Sequence, residues 1–218
     1  IGLSPDEYTK GKEMTVRQDC GHFFKKRNKG SHKKNFGHIL IIGGSPGMEG
    51  SVAMTARGAL RSGAGLVTCA ATSDVAQSVA SNTLSAMELV LEATEPGLLA
   101  AKNENIILNF IEQRNVDCVV MGPGMRTEKV PGELVRRLVE KIKCPLILDA
   151  DGINNAAGFI DVLRRRPEPF VITPHPGEMA RLTGKTVAEI QESREEAART
   201  VSKDLSCTVV LKVYRTIV

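Results

Sequence analysis

The chain has 218 residues, of which 42% are apolar, and a formal net charge of +4 at pH 7. This length suits one large domain or two small ones, with enough apolar residues for a substantial core. No apolar run is long enough to span a bilayer, and the N-terminal segment IGLSPDEYTK lacks the pattern of a secretory signal peptide. We therefore expect a cytoplasmic protein without a membrane partner.

The five cysteines do not form a pairing or metal-binding pattern. They are Cys20, Cys69, Cys118, Cys144 and Cys207, and none belongs to a C-x-x-C motif. Three of them lie in apolar runs that are typical of strands. An odd number of thiols in such positions indicates reduced core cysteines in a cytosol-like compartment, not a disulfide framework or a zinc site.

Positive charge is concentrated near the N-terminus, in the run KKRNKGSHKK from Lys25 to Lys34. The preferred interpretation is a solvated, flexible connector. A second interpretation is attraction of a polyphosphate ligand. Nucleic-acid binding is the weakest interpretation, because no aromatic residues are interleaved for base stacking, and no nucleic-acid partner is expected.

From residue 38 onward, short apolar runs alternate with longer amphipathic ones. In chain order the pattern predicts a strand at 38–44, a helix at 51–63, a strand at 65–71, a helix at 73–82, a strand at 86–92, a helical region at 98–115, a strand at 116–122, a helix at 130–143, a strand at 145–151, a broken helix at 153–165, a strand at 169–174, helices at 176–183 and 186–204, and a strand at 207–213. Ser73 is the predicted N-cap of the second helix, and Pro131 falls in the first turn of the helix at 130–143.

This alternation predicts an α/β fold, with a doubly wound, mostly parallel sheet covered by helices on both faces. In such sheets ligands bind beyond the carboxyl ends of the strands. The strand ends are therefore where functional residues are expected.

Two of the predicted strands end in glycine-rich turns. The first runs into GGSPGMEGS and the fourth into GPGM, from Gly122 to Met125. Glycines let backbone N–H groups face a ligand, and the start of the next helix favours anions. The alternative, that each is a simple turn, stays open because neither is a complete phosphate-binding motif.

Two further strands end in charged residues. The fifth runs into DADG, where Asp149 and Asp151 either cap the following helix or face a metal–phosphate group or a reacting hydroxyl. The sixth runs into TPHPGEMARL, where Pro174 and Pro176 stiffen the loop around His175. Glu178 suits the first turn of the next helix, and His175 is the candidate for reaching a ligand.

The last strand leads to Lys212, with Thr216 four residues later. A lysine at a strand end suits contact with phosphate. The alternative is a charge that protects an edge strand from pairing with other chains.

Taken in order, these elements resemble a known family. The segments SHKKNFGHILIIGGSPGMEGSVAMTARGALRSGAGLV, GPGM, LILDADGIN, TPHPGEMARLTG and VVLKVYRT are similar to those of the ADP/ATP-dependent NAD(P)HX dehydratases, over residues 31–217. The resemblance implies a ribokinase-like fold. GAGLV is similar to the ADP-using bacterial branch, and IGLS at the N-terminus resembles the tail of an NAD(P)HX epimerase domain.

The resemblance implies a repair reaction on NADHX or NADPHX, the hydrates of NADH and NADPH. In this reaction ADP or ATP, with Mg²⁺, phosphorylates the hydroxyl at C6 of the nicotinamide ring, and phosphate then leaves. The implied substrate-binding residues are Ser51, Gly122, Gly124 and His175. The implied nucleotide-binding loop comprises Lys212, Val213, Tyr214, Arg215 and Thr216.

Three departures from the family pattern stand out. Ser51 stands where the family usually has alanine, Lys34 where SHKG has glycine, and Val213 where the nucleotide loop has glycine. The family also continues past Val218 into a G-T-G-D element that supplies the aspartate base. The chain is therefore expected to be C-terminally incomplete, and inactivity of this fragment stays open. Asp149 and Asp151 are the fallback candidates for the base.

The resemblance also implies a domain organisation and partners. Residues 1–34 are expected to be a connector after an epimerase domain on the same chain, and residues 35–218 a dehydratase domain, with a homo-oligomeric assembly. Two alternatives remain: a vitamin-precursor kinase of the same fold, and a catalytically dead nucleotide-binding module.

Overall fold

The structure is a computed structural model that describes residues 26–94 and 97–218. The chain divides into two units, Ile1–Ser31 and His32–Val218. Within the first unit only residues 26–31 are described, and there the Ser31 amide donates to the Asn28 carbonyl over 3.0 Å. Cys20, the N-terminal segment and most of the predicted connector therefore lie outside the described residues.

The second unit alternates strands and helices. Its strands are β1 (His38–Ile42), β2 (Leu66–Thr72), β3 (Met87–Leu91), β4 (Cys118–Met121), β5 (Leu146–Leu148), β6 (Phe170–Ile172) and β7 (Thr208–Val209). Its α-helices are α1 (Glu49–Arg61), α2 (Ser73–Asn82), α3 (Glu104–Arg114), α4 (Lys129–Lys141), α5 (Asp151–Ala156), α6 (Ile160–Arg164), α7 (Pro176–Thr183), α8 (Val187–Glu192) and α9 (Arg194–Leu205). Short 3-10 turns cover Lys33–Phe36, Ala101–Asn103 and Ala157–Phe159.

The strands form one sheet in the order β3-β2-β1-β4-β5-β6-β7. Every pair is parallel. The strand order reverses between β1 and β4, which both carry glycine-rich loops. A reversal of this kind opens a crevice at the carboxyl edge of a parallel sheet. The predicted α/β fold is confirmed, and the sheet is parallel throughout.

The core lies on both faces of this sheet, as alternation along β1 illustrates. Leu40 and Ile42 pack with Leu134 of α4 in the cluster on one face. Ile41 packs with Val52 of α1 in the cluster on the other face. Successive strand residues point to opposite faces, so an unbroken apolar run is needed when helices cover both. This is the physical basis of the HILII pattern.

Several predicted boundaries were wrong in ways that matter for the site. β1, β4, β5 and β6 end before the glycine, aspartate and proline residues that the predictions had included. Those residues therefore lie beyond the strands, in the connecting loops and, for Asp151, at the start of α5. β7 has only two residues, and Leu211 beyond it forms an isolated antiparallel bridge with Ile217. Lys212 thus lies on a separate turn and not within the last strand.

Three helix predictions also need correction. Thr72, not Ser73, is the N-cap residue of α2, and it makes no side-chain capping hydrogen bond. The helix predicted at 186–204 is two helices that meet at Ser193. The region predicted from residue 98 becomes helical only at Ala101.

The described cysteines are free thiols, of which Cys69 and Cys207 are buried and Cys118 and Cys144 partly buried. Burial raises the pKa of Cys69 and of Cys207 to about 12, so these thiols stay protonated and unreactive at neutral pH. Among the residues that the structure describes, no group of three or more His, Cys, Asp or Glu side chains is placed to hold a metal ion. No helix in the described ranges has the length and apolar character needed to cross a membrane.

Candidate active site at the carboxyl edge of the sheet

The loops after β1 and β4 meet through very close backbone contacts. The Gly44 amide donates to the Pro123 carbonyl over 2.8 Å. A Cβ atom on Gly43 would lie 2.4 Å from that same oxygen, and one on Gly122 would lie 2.0 Å from the Asp149 carbonyl oxygen. Contacts this short exclude any side chain. The glycines are therefore required for the two loops to pack together. A simple turn would not need this contact between loops.

Ser51 lies in the first turn of α1 and contacts the second glycine loop. Its hydroxyl donates to the Met48 carbonyl over 2.6 Å. A Cβ atom on Gly124, which has a φ of +65°, would lie 2.3 Å from the Ser51 Oγ. The structure thus brings Ser51, Gly122 and Gly124 to one edge of the sheet, as the sequence predicted.

Arg126 follows this loop and was missed by the sequence analysis. Its Nε donates to the Ser45 Oγ over 3.2 Å, and its Nη2 donates to the Pro46 carbonyl over 3.0 Å. Its backbone amide donates to Asp151 Oδ2 over 2.8 Å. No local pattern distinguishes this arginine from a surface residue, because all these partners are distant in sequence.

Asp149 and Lys212 form the charged half of the site. The Lys212 Nζ lies 2.6 Å from Asp149 Oδ1, and the hydroxyl of Thr173 donates to the same oxygen over 2.6 Å. Burial opposes ionisation of Asp149, but the hydrogen bonds from Lys212 and Thr173 outweigh it and lower the pKa of this carboxyl. Asp149 is therefore a stable anion that holds Lys212. The predicted lysine at the end of the sheet is in place.

Neither aspartate is the N-cap of α5, so the capping interpretation is wrong. The N-cap residue is Ala150, whose φ is +48°, and no side chain caps this helix. The Asp151 carboxylate instead accepts from the Arg126 amide and from Asn154 Nδ2. Asp151 thus fixes the loop after β4 against α5 and does not bond the amides of its own helix start.

His175 is the N-cap of α7. Its Nδ1 accepts from the Gly177 amide over 2.9 Å, and its Nε2 lies 3.3 Å from Glu178 Oε1. The Glu178 carboxylate accepts from the His175 amide, which completes a capping box. The prediction that Glu178 lies in the first turn of this helix is confirmed. The His175 side chain is 50% exposed, so its ring keeps an open face beside the charged half.

The segment from Lys212 to Thr216 forms a turn closed by the Leu211–Ile217 bridge. The Lys212 amide donates to the Pro174 carbonyl over 2.8 Å, which attaches this turn to the loop that carries His175. Val213 packs against the core, while Tyr214, Arg215 and Thr216 are exposed. Placing the valine inward leaves the polar residues of the turn accessible.

An unbroken series of contacts therefore crosses the carboxyl edge of the sheet. It runs from Ser51 through the glycine loop to Asp149, and from there through Lys212 to Glu178, whose Oε2 lies 4.0 Å from the Lys212 Nζ. The start of α1 on one side and a lysine on the other suit a ligand that carries negative charge. These features define an α/β protein with a parallel sheet and a site at its carboxyl edge that suits phosphate.

The comparisons identify the family. The NAD(P)H-hydrate dehydratase family matches residues 39–218, and the chain belongs to that family. The bifunctional NAD(P)H-hydrate repair enzyme Nnr of Moorella thermoacetica is 36% identical over 199 residues, which are 91% of this chain and 37% of the relative. The chain thus spans only part of the length of the curated relatives that it matches.

Solved structures agree with the fold. A ribokinase-like superfamily protein from Enterococcus faecalis superposes with a TM-score of 0.73 at 24% identity, covering 88% of this chain and 62% of its own. An ADP/ATP-dependent NAD(P)H-hydrate dehydratase from Bacillus subtilis, co-crystallised with ATP and Mg²⁺, gives a TM-score of 0.71 at 25% identity and covers 92% of this chain and 66% of its own. The predicted ribokinase-like fold is confirmed.

Proposed function

We propose that this chain carries out nucleotide-dependent dehydration of hydrated NADH or NADPH. The C6 hydroxyl gives its proton to a general base, and its oxygen attacks the terminal phosphorus of ADP. A new P–O bond forms, the bond from that phosphorus to the bridging oxygen breaks, and AMP leaves. The C6–O bond then breaks with departure of inorganic phosphate, and loss of a proton from the adjacent ring carbon restores the dihydropyridine. ATP is the alternative donor. Family membership supports the reaction class, and the contact between the glycine loops and the Asp149–Lys212 pair carries the proposal.

The other half of the site, called here the glycine half, consists of the loops after β1 and β4 and the start of α1. This half is proposed to bind the hydrated dinucleotide. Gly122 and Gly124 are buried and let the loop after β4 pack against Asp149 and Ser51. Ser51 lies at the start of α1, where the helix dipole favours anions. His175 is proposed to contact the same substrate through the exposed face of its ring. Its capping bonds hold the ring in a fixed orientation.

The charged half is proposed to bind the nucleotide. Lys212 supplies a positive charge, and Tyr214, Arg215 and Thr216 are exposed on the same turn. Phosphoryl transfer depends on positioning and on stabilising the charge of the transferring group. A lysine fixed by Asp149 and attached to the His175 loop meets the first requirement and contributes to the second.

The residues present fit Mg²⁺ that arrives with a nucleotide. Mg²⁺ usually binds to one or two carboxylates together with phosphate oxygens and water, and needs no all-protein cage. Asp149 would be the carboxylate available beside Lys212, because the buried Glu178 carboxylate already faces the amide and the ring of His175. When bound, the ion would neutralise phosphate charge.

Asp149 and Asp151 are poorly suited to act as the general base. Burial raises the pKa of Asp149, but the hydrogen bonds from Lys212 and Thr173 lower it by more, so the net shift is downward. A carboxylate with a lowered pKa is a weak base and abstracts protons poorly. Asp151 is occupied by the Arg126 amide and by Asn154. We propose binding and positioning roles for both, and retain the aspartate of the family's G-T-G-D element as the proposed base.

The test is to incubate the protein with NADHX, ADP and Mg²⁺ while following reduced nicotinamide absorbance and inorganic phosphate. Both the 218-residue chain and the longest natural form of the protein should be assayed. Equal release of NADH and phosphate is expected in at least the longer form. A stable phosphorylated product without free phosphate would support the kinase alternative. Nucleotide binding without turnover in either form would support a binding module.

A further inference from the structure

Arg126 occupies an unusual backbone position for a bulky residue. Its φ is +65°, in the left-handed region that favours glycine. A conformation of this kind persists only when surrounding contacts hold it. The backbone amide is held by Asp151, and the backbone carbonyl accepts from the buried Asn155 Nδ2 over 2.8 Å. The strain is therefore maintained by α5, which follows the loop after β5.

The side chain of Arg126 reaches the other glycine loop. Its guanidinium donates to the Ser45 hydroxyl and to the Pro46 carbonyl, both in the loop after β1. Ser45 is fully buried, so its hydroxyl needs an internal partner. The planar guanidinium can present two N–H groups in a fixed geometry, which a lysine ammonium cannot reproduce. One residue thus joins the loops after β1 and β4 to α5.

We propose that Arg126 is a positioning residue that fixes the spacing between the two glycine loops, and so sets the affinity for the hydrated dinucleotide. This inference rests on the proposed function for its substrate. The guanidinium extends from the loop after β4 to Ser45 and Pro46 in the loop after β1, beside the backbone contact between Gly44 and Pro123. Arg126 therefore acts on binding of the hydrate and leaves nucleotide binding and phosphoryl transfer largely unaffected.

Arg126→Gly is the informative variant, because glycine accepts the left-handed backbone that alanine would strain. Loss of both guanidinium bonds is expected to raise KM for NADHX by about tenfold, with kcat and KM for ADP nearly unchanged. Arg126→Lys restores one bond at most and is expected to give an intermediate KM. Asn115→Gly is the matched control, since Asn115 also has a positive φ (49°) but precedes β4 at the opposite edge of the sheet.

A second measurement is independent of turnover. Amide hydrogen exchange is followed in the peptides that cover residues 43–48 and 122–126. Arg126→Gly is expected to speed exchange of the Gly44 amide, which bonds Pro123, by about tenfold, and Asn115→Gly is expected not to. Unchanged exchange in Arg126→Gly overturns the proposal. A kcat loss without a KM rise for NADHX also overturns it. If the wild-type protein does not act on NADHX, the proposed function fails and the exchange experiment still decides the positioning role.

Discussion

The two halves of the candidate site are held together by different forces. Around β1 and β4, backbone atoms approach so closely that Gly43 and Gly122 have no room for a Cβ atom. Around β5, β6 and β7, side chains meet instead, and Asp149, Thr173 and Lys212 share hydrogen bonds. The glycine half depends on close backbone packing that leaves no room for side chains. The charged half depends on electrostatic attraction between side chains.

This difference determines how each half should respond to change. Steric contacts between backbone atoms are stiff, because any added atom must displace whole loops. Ion pairs that are partly exposed are adjustable, because water and salt compensate for much of what is lost. We therefore expect an atom added at the packed glycines to act first on stability, and a charge removed from the charged half to act first on ligand binding.

The largest effect is expected for Gly122→Ala. The new Cβ would lie 2.0 Å from the Asp149 carbonyl oxygen, at a φ of +122° that alanine rarely adopts. We expect a loss of about 3 kcal/mol or more in the free energy of unfolding, measured in urea. Gly58→Ala is the control, since a Cβ atom on this helical glycine would have nothing within 4 Å and should add about 0.5–1 kcal/mol of stability. A loss below about 1 kcal/mol at Gly122 would contradict steric fixation.

Lys212→Gln should leave stability nearly unchanged and weaken nucleotide binding. The side chain is 42% exposed, so its pair with Asp149 adds little to folding. Loss of a charge-assisted bond to phosphate should raise the Kd for ADP with Mg²⁺ by about 10- to 100-fold in calorimetry. Lys203→Gln, on the helix that leads into the amino end of β7, is the matched control. Equal affinity in wild type and Lys212→Gln would remove the nucleotide site from this turn.

The charged half should also show a pH dependence. The pKa of Asp149 is lowered in the folded protein, so its contribution to stability is present above the unfolded pKa and is lost as pH falls through the folded pKa. The difference in unfolding free energy between wild type and Asp149→Asn should therefore shrink below about pH 4. The difference in unfolding free energy at neutral pH should itself be less than about 1 kcal/mol, because the Asp149–Lys212 pair is partly exposed. A difference that grows on acidification would show that Asp149 is destabilised when charged.

The sequence predicted the glycine half better than the charged half. A glycine run after a buried strand is a local signal, and the family resemblance pointed to Gly124 and Ser51. The contact between Asp149 and Lys212 joins residues 63 positions apart. No local sequence pattern predicts that these two side chains meet. Each was a candidate on its own, because each lies at the end of a predicted strand. Thr173 was missed for the same reason, since its hydroxyl has a partner only once β5 and β6 lie side by side.

Arg126 illustrates a different limit. Its role depends on a positive φ and on partners in the loop after β1 and in α5, and nothing in GPGMRTEK distinguishes it from an exposed arginine. His175 was predicted as a ligand contact on the stiffness of its loop. The structure adds a capping role that the sequence assigned to Glu178 alone, because the ring can accept from Gly177 only when α7 begins at Pro176.

The smallest effect is expected for Ser51→Ala, which tests whether the glycine half recognises its ligand through backbone or side chain. The Ser51 hydroxyl is already bonded to Met48 within its own turn, so stability should change by no more than about 0.5 kcal/mol. KM for NADHX should stay within about twofold. Ser51→Val is the comparison, because its added methyl would press on the Gly124 backbone, which leaves little space around the serine oxygen. An alanine variant as impaired as the valine variant would mean that the hydroxyl itself binds the substrate, and the contrast between a steric half and a polar half would no longer hold.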